Sequence, residues 1–302
     1  MIKKLEGKWP LVWFGLVLWV MVSFALISGQ PLTAKANIEK TTVKNESNID
    51  LVKLQEKVFP ASGYTFQVSW GDLGKKMVED GVIDEKKLAQ ALTGKDELPQ
   101  QFKKYLDDSD QKIELNQGNA QFWVDVLWGL GLANKNDILE KGEMMASGNA
   151  SNFASTGGGT IGVKKPMDIY SKHTYINLSA GQQIMVEEIA NGVYRPCCGN
   201  STAFPDCNHG MAALGLIELM VSQGFSKDEI FKTVLAFNSY WFPGTYLDIS
   251  YHFAKNNRDY AKVPAEEILS KTFSSGMGYQ AVKKQVGEIQ WPALKSFQGC
   301  GA

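Results

Sequence analysis

Apolar residues recur at helical spacing along most of the chain beyond residue 70. Leu73, Met77 and Val78 share one face of a helix, and Asp84 is placed to cap the next one. Similar patterns predict helices over residues 71–81, 84–92, 99–107, 119–130, 179–192, 211–221, 226–242, 264–273 and 278–286. Alternation typical of a strand is confined to short pieces such as Tyr64–Val68. We therefore predict a mainly α fold with few or no strands.

The N-terminal segment has the pattern of a helix that enters a membrane. Lys3 and Lys8 precede an apolar run over residues 10–29, which is long enough to cross the ~30 Å hydrocarbon core of a bilayer. Residues 34–36 (Ala-Lys-Ala) have the small-x-small form of a signal peptidase site. Residues 1–36 are therefore either an uncleaved membrane anchor or a signal peptide, and both alternatives remain open.

The positive charges before this run predict that the rest of the chain is exported. They keep the N-terminal end in the cytoplasm, so the following residues lie outside it, secreted or on the outer face of the cytoplasmic membrane. Residues 37–50 are polar and are typical of a flexible tether. Residues 51–302 form the predicted helical domain, and the loop composition at 148–162 marks where it would divide into two subdomains.

The overall charge excludes an electrostatic basis for binding nucleic acid. The chain has 31 Lys and Arg against 32 Asp and Glu, a net charge of −1, so no positive excess is available for phosphates. Its four cysteines are too few for a disulfide scaffold of 302 residues. Three of them, at positions 197, 198 and 207, lie close together, which makes this segment the candidate site of chemistry.

The segment around the three cysteines has the composition of a folded loop. Its two prolines and its glycine exclude a regular helix, so Cys197 and Cys198 can fold back toward Cys207. Asp206 is predicted to cap the following helix and to place Cys207 in the first turn, where the helix dipole favours a thiolate. Arg195, one of only two arginines in the chain, would add to that positive field.

The converging thiols form a candidate site for a soft metal. Two or three thiolates favour a thiophilic ion such as Hg(II), Cu(I) or Zn(II), with Cys197, Cys198 and Cys207 as ligands. His209 would supply a fourth ligand. Because it lies two residues from Cys207, the two cannot share a face of a regular helix, and a capping or hydrogen-bonding role for His209 also stays open.

Other functions remain open for the same residues. In an oxidising compartment Cys207 can pair with Cys197 or Cys198, with Cys300 taking the other, as in a disulfide-stabilised interaction module. A Cys197–Cys198 bond would close a small strained ring and favour a thiol–disulfide oxidoreductase. A thiol-dependent lyase would use the thiolates to hold a metal and Asp206 as the acid that protonates the leaving carbon.

Three stretches of the sequence carry a resemblance to known proteins. They are Y-R-P-C-C-G-N-S-T-A-F-P-D-C-N-H-G-M-A at 194–212, W-G-L-G-L-A-N-K-N at 128–136 and N-S-Y-W-F-P at 238–243. Together they resemble an uncharacterised family of exported bacterial proteins. The vicinal cysteine pair is also similar to the pairs of a proposed selenocysteine-assisted organometal system, although this chain has no selenocysteine.

This second resemblance implies that mercury-like or organometallic toxicants are handled outside the cytoplasm. The implied metal role falls on Cys197, Cys198 and Cys207. Our leading hypothesis from the sequence is therefore an exported α-helical protein that binds a soft metal or organometal and delivers it to a membrane transporter. The chain shows no local resemblance to organomercurial lyases, so binding is favoured over turnover.

Overall fold

The computed structural model describes residues 49–107, 110–146, 148–292 and 294, and these belong to one compact unit. The predicted anchor or signal helix, nearly all of the predicted tether and Cys300 lie outside the described residues. The first part contains, in chain order, α1 (Leu51–Val58), β1 (Tyr64–Ser69), α2 (Leu73–Glu79), α3 (Glu85–Thr93), α4 (Gln100–Lys103), β2 (Lys112–Leu115), α5 (Ala120–Ala133), α6 (Asp137–Lys141), α7 (Glu143–Ala146), α8 (Ala154–Gly157) and α9 (Pro166–Ile169).

The second part of the described chain contains the remaining helices. They are α10 (Ala180–Gly192), α11 (Asn208–Ser222), α12 (Lys227–Trp241), α13 (Pro243–Lys255), α14 (Ala265–Leu269), α15 (Lys271–Ser274) and α16 (Gly276–Val286). Short 3-10 turns lie at Ala150–Asn152 and Tyr260–Lys262. The prediction of a mainly helical protein is confirmed.

Helix caps account for the best-predicted boundaries. The Asp84 side chain accepts a hydrogen bond from Lys87 N at the start of α3. Ser179 and Ser226 each form a reciprocal capping box, with Gln182 and Glu229 respectively, at the starts of α10 and α12. These side chains satisfy backbone N–H groups that the first helical turn leaves without partners, so the sequence fixes where each helix begins.

Several other elements differ from the prediction. β1 matches the predicted alternation, but it pairs with β2, an unpredicted four-residue strand, with Tyr64 opposite Leu115. Residues 264–273 form two short helices because the Ser270 backbone is extended (φ −64°, ψ 165°). The helix predicted over residues 226–242 stops before Pro243. The same proline lies in the first turn of α13, where proline is well tolerated.

Two helices pack closely enough to require glycine. α5 and α11 make the most extensive contact between elements in the described part of the chain. A methyl group on Gly131 or Gly215 would overlap the backbone of the facing helix. α11 is buried along nearly its whole length, including Glu218, whose carboxyl accepts a hydrogen bond from Asn134 Nδ2 at 2.8 Å. The packed helices α5 and α11 support the candidate site, because Cys207 caps α11.

One cluster of buried apolar side chains extends from Leu54 to Trp291. Aromatic rings fill much of it, with Trp70, Trp123 and Trp241 fully buried. Within the described ranges, no helix combines the length and the apolar character that crossing a membrane requires.

Candidate metal centre

The three cysteines lie in one loop, residues 193–207, which we call the cysteine loop. An isolated antiparallel bridge between Tyr194 and Ser201 closes its first part, and Thr202 N donates to Val193 O at 2.8 Å. The backbone therefore turns through Cys197 and Cys198 and returns alongside itself, as the prolines and glycine of the segment predict.

The cysteine loop is held in place by backbone hydrogen bonds to its neighbours. Tyr194 N donates to Leu269 O at 2.8 Å, and Gly276 N donates to Cys198 O at 2.7 Å. A methyl group on Gly276 would lie 3.2 Å from Cys198 O, so this close approach favours glycine. These contacts fix the turn that carries the vicinal cysteines.

The glycine-rich segment at 148–162 also contacts the cysteine loop. Ser155 N donates to Asp206 O at 3.0 Å, and Ser155 Oγ donates to Pro205 O at 2.7 Å. Trp128 Nε1 in turn donates to Ser155 O at 2.9 Å. The segment predicted to separate two subdomains thus supports the end of the cysteine loop.

The cap of α11 is Cys207, and the prediction that Asp206 caps this helix is wrong. Cys207 has an extended backbone (φ −121°, ψ 163°), and its sulfur accepts a hydrogen bond from Gly210 N at 3.4 Å. Asp206 is drawn away because its two carboxylate oxygens accept hydrogen bonds from Arg195 and from Asn200 Nδ2, at 2.7 and 2.8 Å. The sulfur therefore sits at the positive end of the helix dipole.

The Arg195 side chain connects several parts of the cysteine loop through hydrogen bonds. It is fully buried, and its Nε donates to Cys207 Sγ at 3.0 Å. Its terminal nitrogens donate to Asn200 O at 3.2 Å, to Phe204 O at 3.0 Å and to Asp206 Oδ1 at 2.7 Å. The planar guanidinium thus joins both ends of the loop, a role that a lysine could not fill.

Gly210 makes room for this guanidinium. A methyl group at position 210 would overlap the Nε and Cζ atoms of Arg195. The glycine after His209 in the motif is therefore required by packing.

The sulfur atoms of Cys197 and Cys207 are 3.2 Å apart. Cys197 is exposed, whereas Cys198 and Cys207 are half-buried, and all three are free thiols. The Cys198 sulfur faces Asn200 O at 3.9 Å. The structure therefore brings together the three cysteines that the sequence predicts as ligands.

His209 joins the same cluster. One ligand atom each from Cys197, Cys207 and His209 lies within 4.8 Å of the other two. Cys207 and His209 do not share a face of a regular helix, yet their ligand atoms converge because Cys207 is an extended cap. The ring of His209 is buried against Trp241 and Phe242, with centroids 5.6 and 4.4 Å away.

The His209 Nε2 atom makes no hydrogen bond with the described part of the chain. A buried ring nitrogen without a partner is costly, and binding a metal is one way to satisfy it. His209 thus combines a ring packed between aromatic side chains with a buried nitrogen that has no partner among the described residues.

The pKa values of Cys197 and Cys207 are shifted in opposite directions. Hydrogen bonds from Cys197 and Cys198, and further interactions with His209 and Arg195, hold the pKa of Cys207 well below its usual range, although burial opposes this. Hydrogen bonding with Cys198 and Cys207 raises the pKa of Cys197. Cys207 is therefore the thiolate of the cluster.

The pKa of Cys198 is raised to about 11. Hydrogen bonding with Cys197 lowers it, but hydrogen bonding with Cys207 and burial together outweigh that effect. A second group of candidate ligand atoms, on Cys198, Asp206 and Cys207, also lies within 4.8 Å. Cys207 belongs to both groups of candidate ligands. The cluster can therefore hold a metal ion with Cys207 as a ligand in either group.

Residues outside the cysteine loop complete the site, and sequence analysis did not assign them a role. Asn238 Nδ2 donates to Tyr194 O at 3.3 Å and to the Tyr246 hydroxyl at 3.0 Å. Asn238, Trp241 and Phe242 all belong to the N-S-Y-W-F-P stretch. The sequence contains one indication of their importance, because this stretch and the cysteine motif both belong to the resemblance described above.

Comparison of the chain with known protein families, with curated proteins and with solved structures gives no match. The geometry of the cysteine cluster is therefore the basis for assigning a function.

Proposed function

We propose that the protein binds a soft, thiophilic metal ion or organometal cation through Cys197, Cys207 and His209, with Cys198 as an adjacent third thiol. The observation that carries the proposal is the convergence of the three ligand atoms within 4.8 Å. Thiolate sulfur with imidazole nitrogen is a donor set suited to Hg(II), Cu(I) and Zn(II), and unsuited to Mg(II) or Ca(II).

The sulfur positions fit one ion after a small adjustment. Metal–sulfur bonds of ~2.3 Å at a tetrahedral angle require a sulfur–sulfur distance of about 3.8 Å. The distance between Cys197 and Cys207 is 3.2 Å. Because Cys197 is exposed, its side chain has room to open by the remaining fraction of an ångström.

The charges of the site also favour a cation. The buried Arg195 guanidinium beside Cys207 would repel a metal ion if it were alone, but Asp206 compensates its charge at 2.7 Å. The negative charge that balances the metal ion comes from the Cys207 thiolate, and from Cys197 after the metal displaces its proton. Two thiolates neutralise a divalent soft ion, and the displaced proton leaves to solvent.

Binding is supported better than cleavage of a carbon–metal bond. A lyase would need Asp206 to carry a proton for the leaving carbon. Both of its oxygens instead accept hydrogen bonds, from Arg195 and Asn200, so neither is placed to give a proton to a leaving group. The proposal therefore assigns Asp206 to the support of Arg195.

Export and delivery form the cellular part of the proposal. The N-terminal sequence favours a location outside the cytoplasm, where the exposed Cys197 would meet toxic soft metals. A membrane transporter is the proposed recipient of the ion.

Competition titration tests the proposed site. The reduced full chain is titrated with Zn(II) or Hg(II) against a chelator of known affinity, alongside Cys207→Ser and an exposed control, Ser62→Ala. We expect one tight equivalent in the wild type and the control, and its loss in Cys207→Ser. Equal binding by all three proteins would overturn the proposal.

A further inference from the structure

Cys197 and Cys207 are arranged for a second kind of chemistry. Their sulfur atoms are 3.2 Å apart, so a movement of about 1.1 Å brings them to the ~2.05 Å of a disulfide bond. Cys197 is exposed and can be reached by a molecule from solvent, whereas Cys207 is half-buried behind it.

The loop that carries this pair is already closed by other bonds. Arg195 bridges Asn200 O and Phe204 O, and Tyr194 pairs with Ser201. A disulfide stabilises a protein mainly by restricting the unfolded chain, and this effect is smaller when the loop that it closes is shorter. The loop between residues 197 and 207 is short, so the bond is suited to reversible formation.

Oxidation of the pair would remove the metal ligands. The proposed metal site uses both sulfurs, and a sulfur in a disulfide is no longer a thiolate donor. We propose that Cys197 and Cys207 form a reversible disulfide that switches the metal site off, with low-molecular-weight disulfides as the oxidant. This inference rests on the proposed function for its consequence, but the bond itself can be tested without metal.

The exchange proceeds in two balanced steps. The Cys207 thiolate takes the proton of the exposed Cys197 thiol, whose sulfur is 3.2 Å away, as the Cys197 sulfur attacks a disulfide RSSR. The Cys197–SR bond forms, the S–S bond of RSSR breaks, and the RS⁻ that leaves takes the proton from Cys207. The Cys207 thiolate then attacks the Cys197 sulfur, forms the Cys197–Cys207 bond and releases the second RS⁻. The two cysteine sulfurs lose two electrons and RSSR gains them, and the one proton, which comes from Cys197, ends on one released group as RSH while the other leaves as RS⁻.

Cys198 is the internal control for this pair. Its carbonyl accepts a hydrogen bond from Gly276 N at 2.7 Å, which anchors its backbone, and its sulfur faces Asn200 O. The nearest alternative is a Cys197–Cys198 bond, which would close a strained ring between adjacent residues. Cys198→Ser removes that alternative and leaves the proposed pair intact.

Redox titration with peptide mapping tests the switch. The full chain and its Cys198→Ser variant are equilibrated with mixtures of reduced and oxidised glutathione, without metal, and free thiols are then alkylated. Cleavage on the amino side of Asp206 separates Cys197 from Cys207, so mass spectrometry identifies which cysteines are joined. Each sample is also assayed for binding of Hg(II).

We expect Cys197 and Cys207 to lose their thiols together in both proteins, and reduction to restore them. The oxidised protein should lose the stoichiometric Hg(II) site that the reduced protein shows. A Cys197–Cys198 link, or free thiols throughout the series, would overturn the switch and leave the metal site standing. A reduced protein that binds no Hg(II) would overturn the switch and the proposed function together.

Discussion

The Nε atom of Arg195 donates a hydrogen bond to the sulfur of Cys207 at 3.0 Å. Gly210 N also donates to this sulfur, so a buried guanidinium and a helix start together stabilise one thiolate. The same guanidinium binds Asp206 and two loop carbonyls. Arg195 therefore links the shape of the cysteine loop to the charge of its central ligand.

Replacing Arg195 with lysine should unfold the loop while keeping the charge. A lysine cannot reach Asn200 O, Phe204 O and Asp206 together, and each buried polar group left without a partner costs about 1–3 kcal/mol. We expect Arg195→Lys to lower the free energy of unfolding by about 2–4 kcal/mol in urea denaturation.

The matched control for this change is the other arginine of the chain. Arg258 forms a bidentate pair with Glu267 at the surface, so Arg258→Lys should leave the unfolding curve nearly unchanged. An equal loss of stability in the two variants would contradict the central position given to Arg195.

Gly210→Ala should disturb the site by displacing the guanidinium. The added methyl group overlaps Arg195, and overpacking of a buried site costs about 1–3 kcal/mol. Gly199→Ala, in the same loop, meets no atom within 4 Å and is the control. Thermal denaturation should show a lower Tm for Gly210→Ala alone, and equal Tm values would refute the packing argument.

His209→Ala should discriminate between metals. Zn(II) needs a filled tetrahedral set, so we expect its affinity to fall at least about tenfold. Hg(II) is held by thiolates, so its affinity should change much less. His252, whose ring packs against Phe253 and Phe273, provides the control His252→Ala. Competition titrations in which His209→Ala binds Zn(II) as tightly as the wild type would exclude His209 as a zinc ligand.

Cys197→Ala should raise the pKa of Cys207. Hydrogen bonding from Cys197 is the largest cause that holds this pKa down, and alanine cannot donate. The pH dependence of alkylation at Cys207, followed on the peptide that begins at Asp206, measures the change. The rate for the variant should fall at neutral pH because less thiolate is present. A rate profile that matches the wild type would show that Cys197 does not stabilise the thiolate.

Glu218→Gln should stabilise the protein at high pH. Burial raises the pKa of Glu218 well above 4.5, so the folded state holds a proton that the unfolded state releases. This contribution to stability is complete below pH 4.5 and is lost as pH rises through the folded pKa. Glutamine keeps the shape without titrating, so its advantage over the wild type should grow from pH 4 to pH 8.

The control for this experiment is Glu143→Gln at an exposed position. It should leave the dependence of stability on pH unchanged. If Glu218→Gln shows no growing advantage over the wild type, its carboxyl does not hold the proton.

Local signals made the helix starts predictable. Ser179 and Ser226 cap their helices through contacts with residues three positions away, so the sequence contains both partners. The cap of α11 could not be predicted in this way. Asp206 is the better capping residue, but its carboxylate is bound by Arg195, eleven positions earlier, and the cap passes to Cys207.

The convergence of the cysteines followed from local composition, whereas the position of His209 did not. Its approach to Cys197 depends on the extended backbone of Cys207 and on the rings of Trp241 and Phe242 from α12 and its end. Such contacts between residues distant in sequence are set by tertiary packing, which a local pattern does not contain.

The most direct test of the metal site is protection of its thiols. The reduced full chain is alkylated with and without one equivalent of Hg(II), and mass spectrometry quantifies each cysteine, with Cys300 outside the motif as the reference. We expect Hg(II) to protect Cys197 and Cys207 from alkylation together, while Cys300 keeps reacting. Unchanged alkylation of Cys197 and Cys207 in the presence of the metal would contradict the proposed metal site.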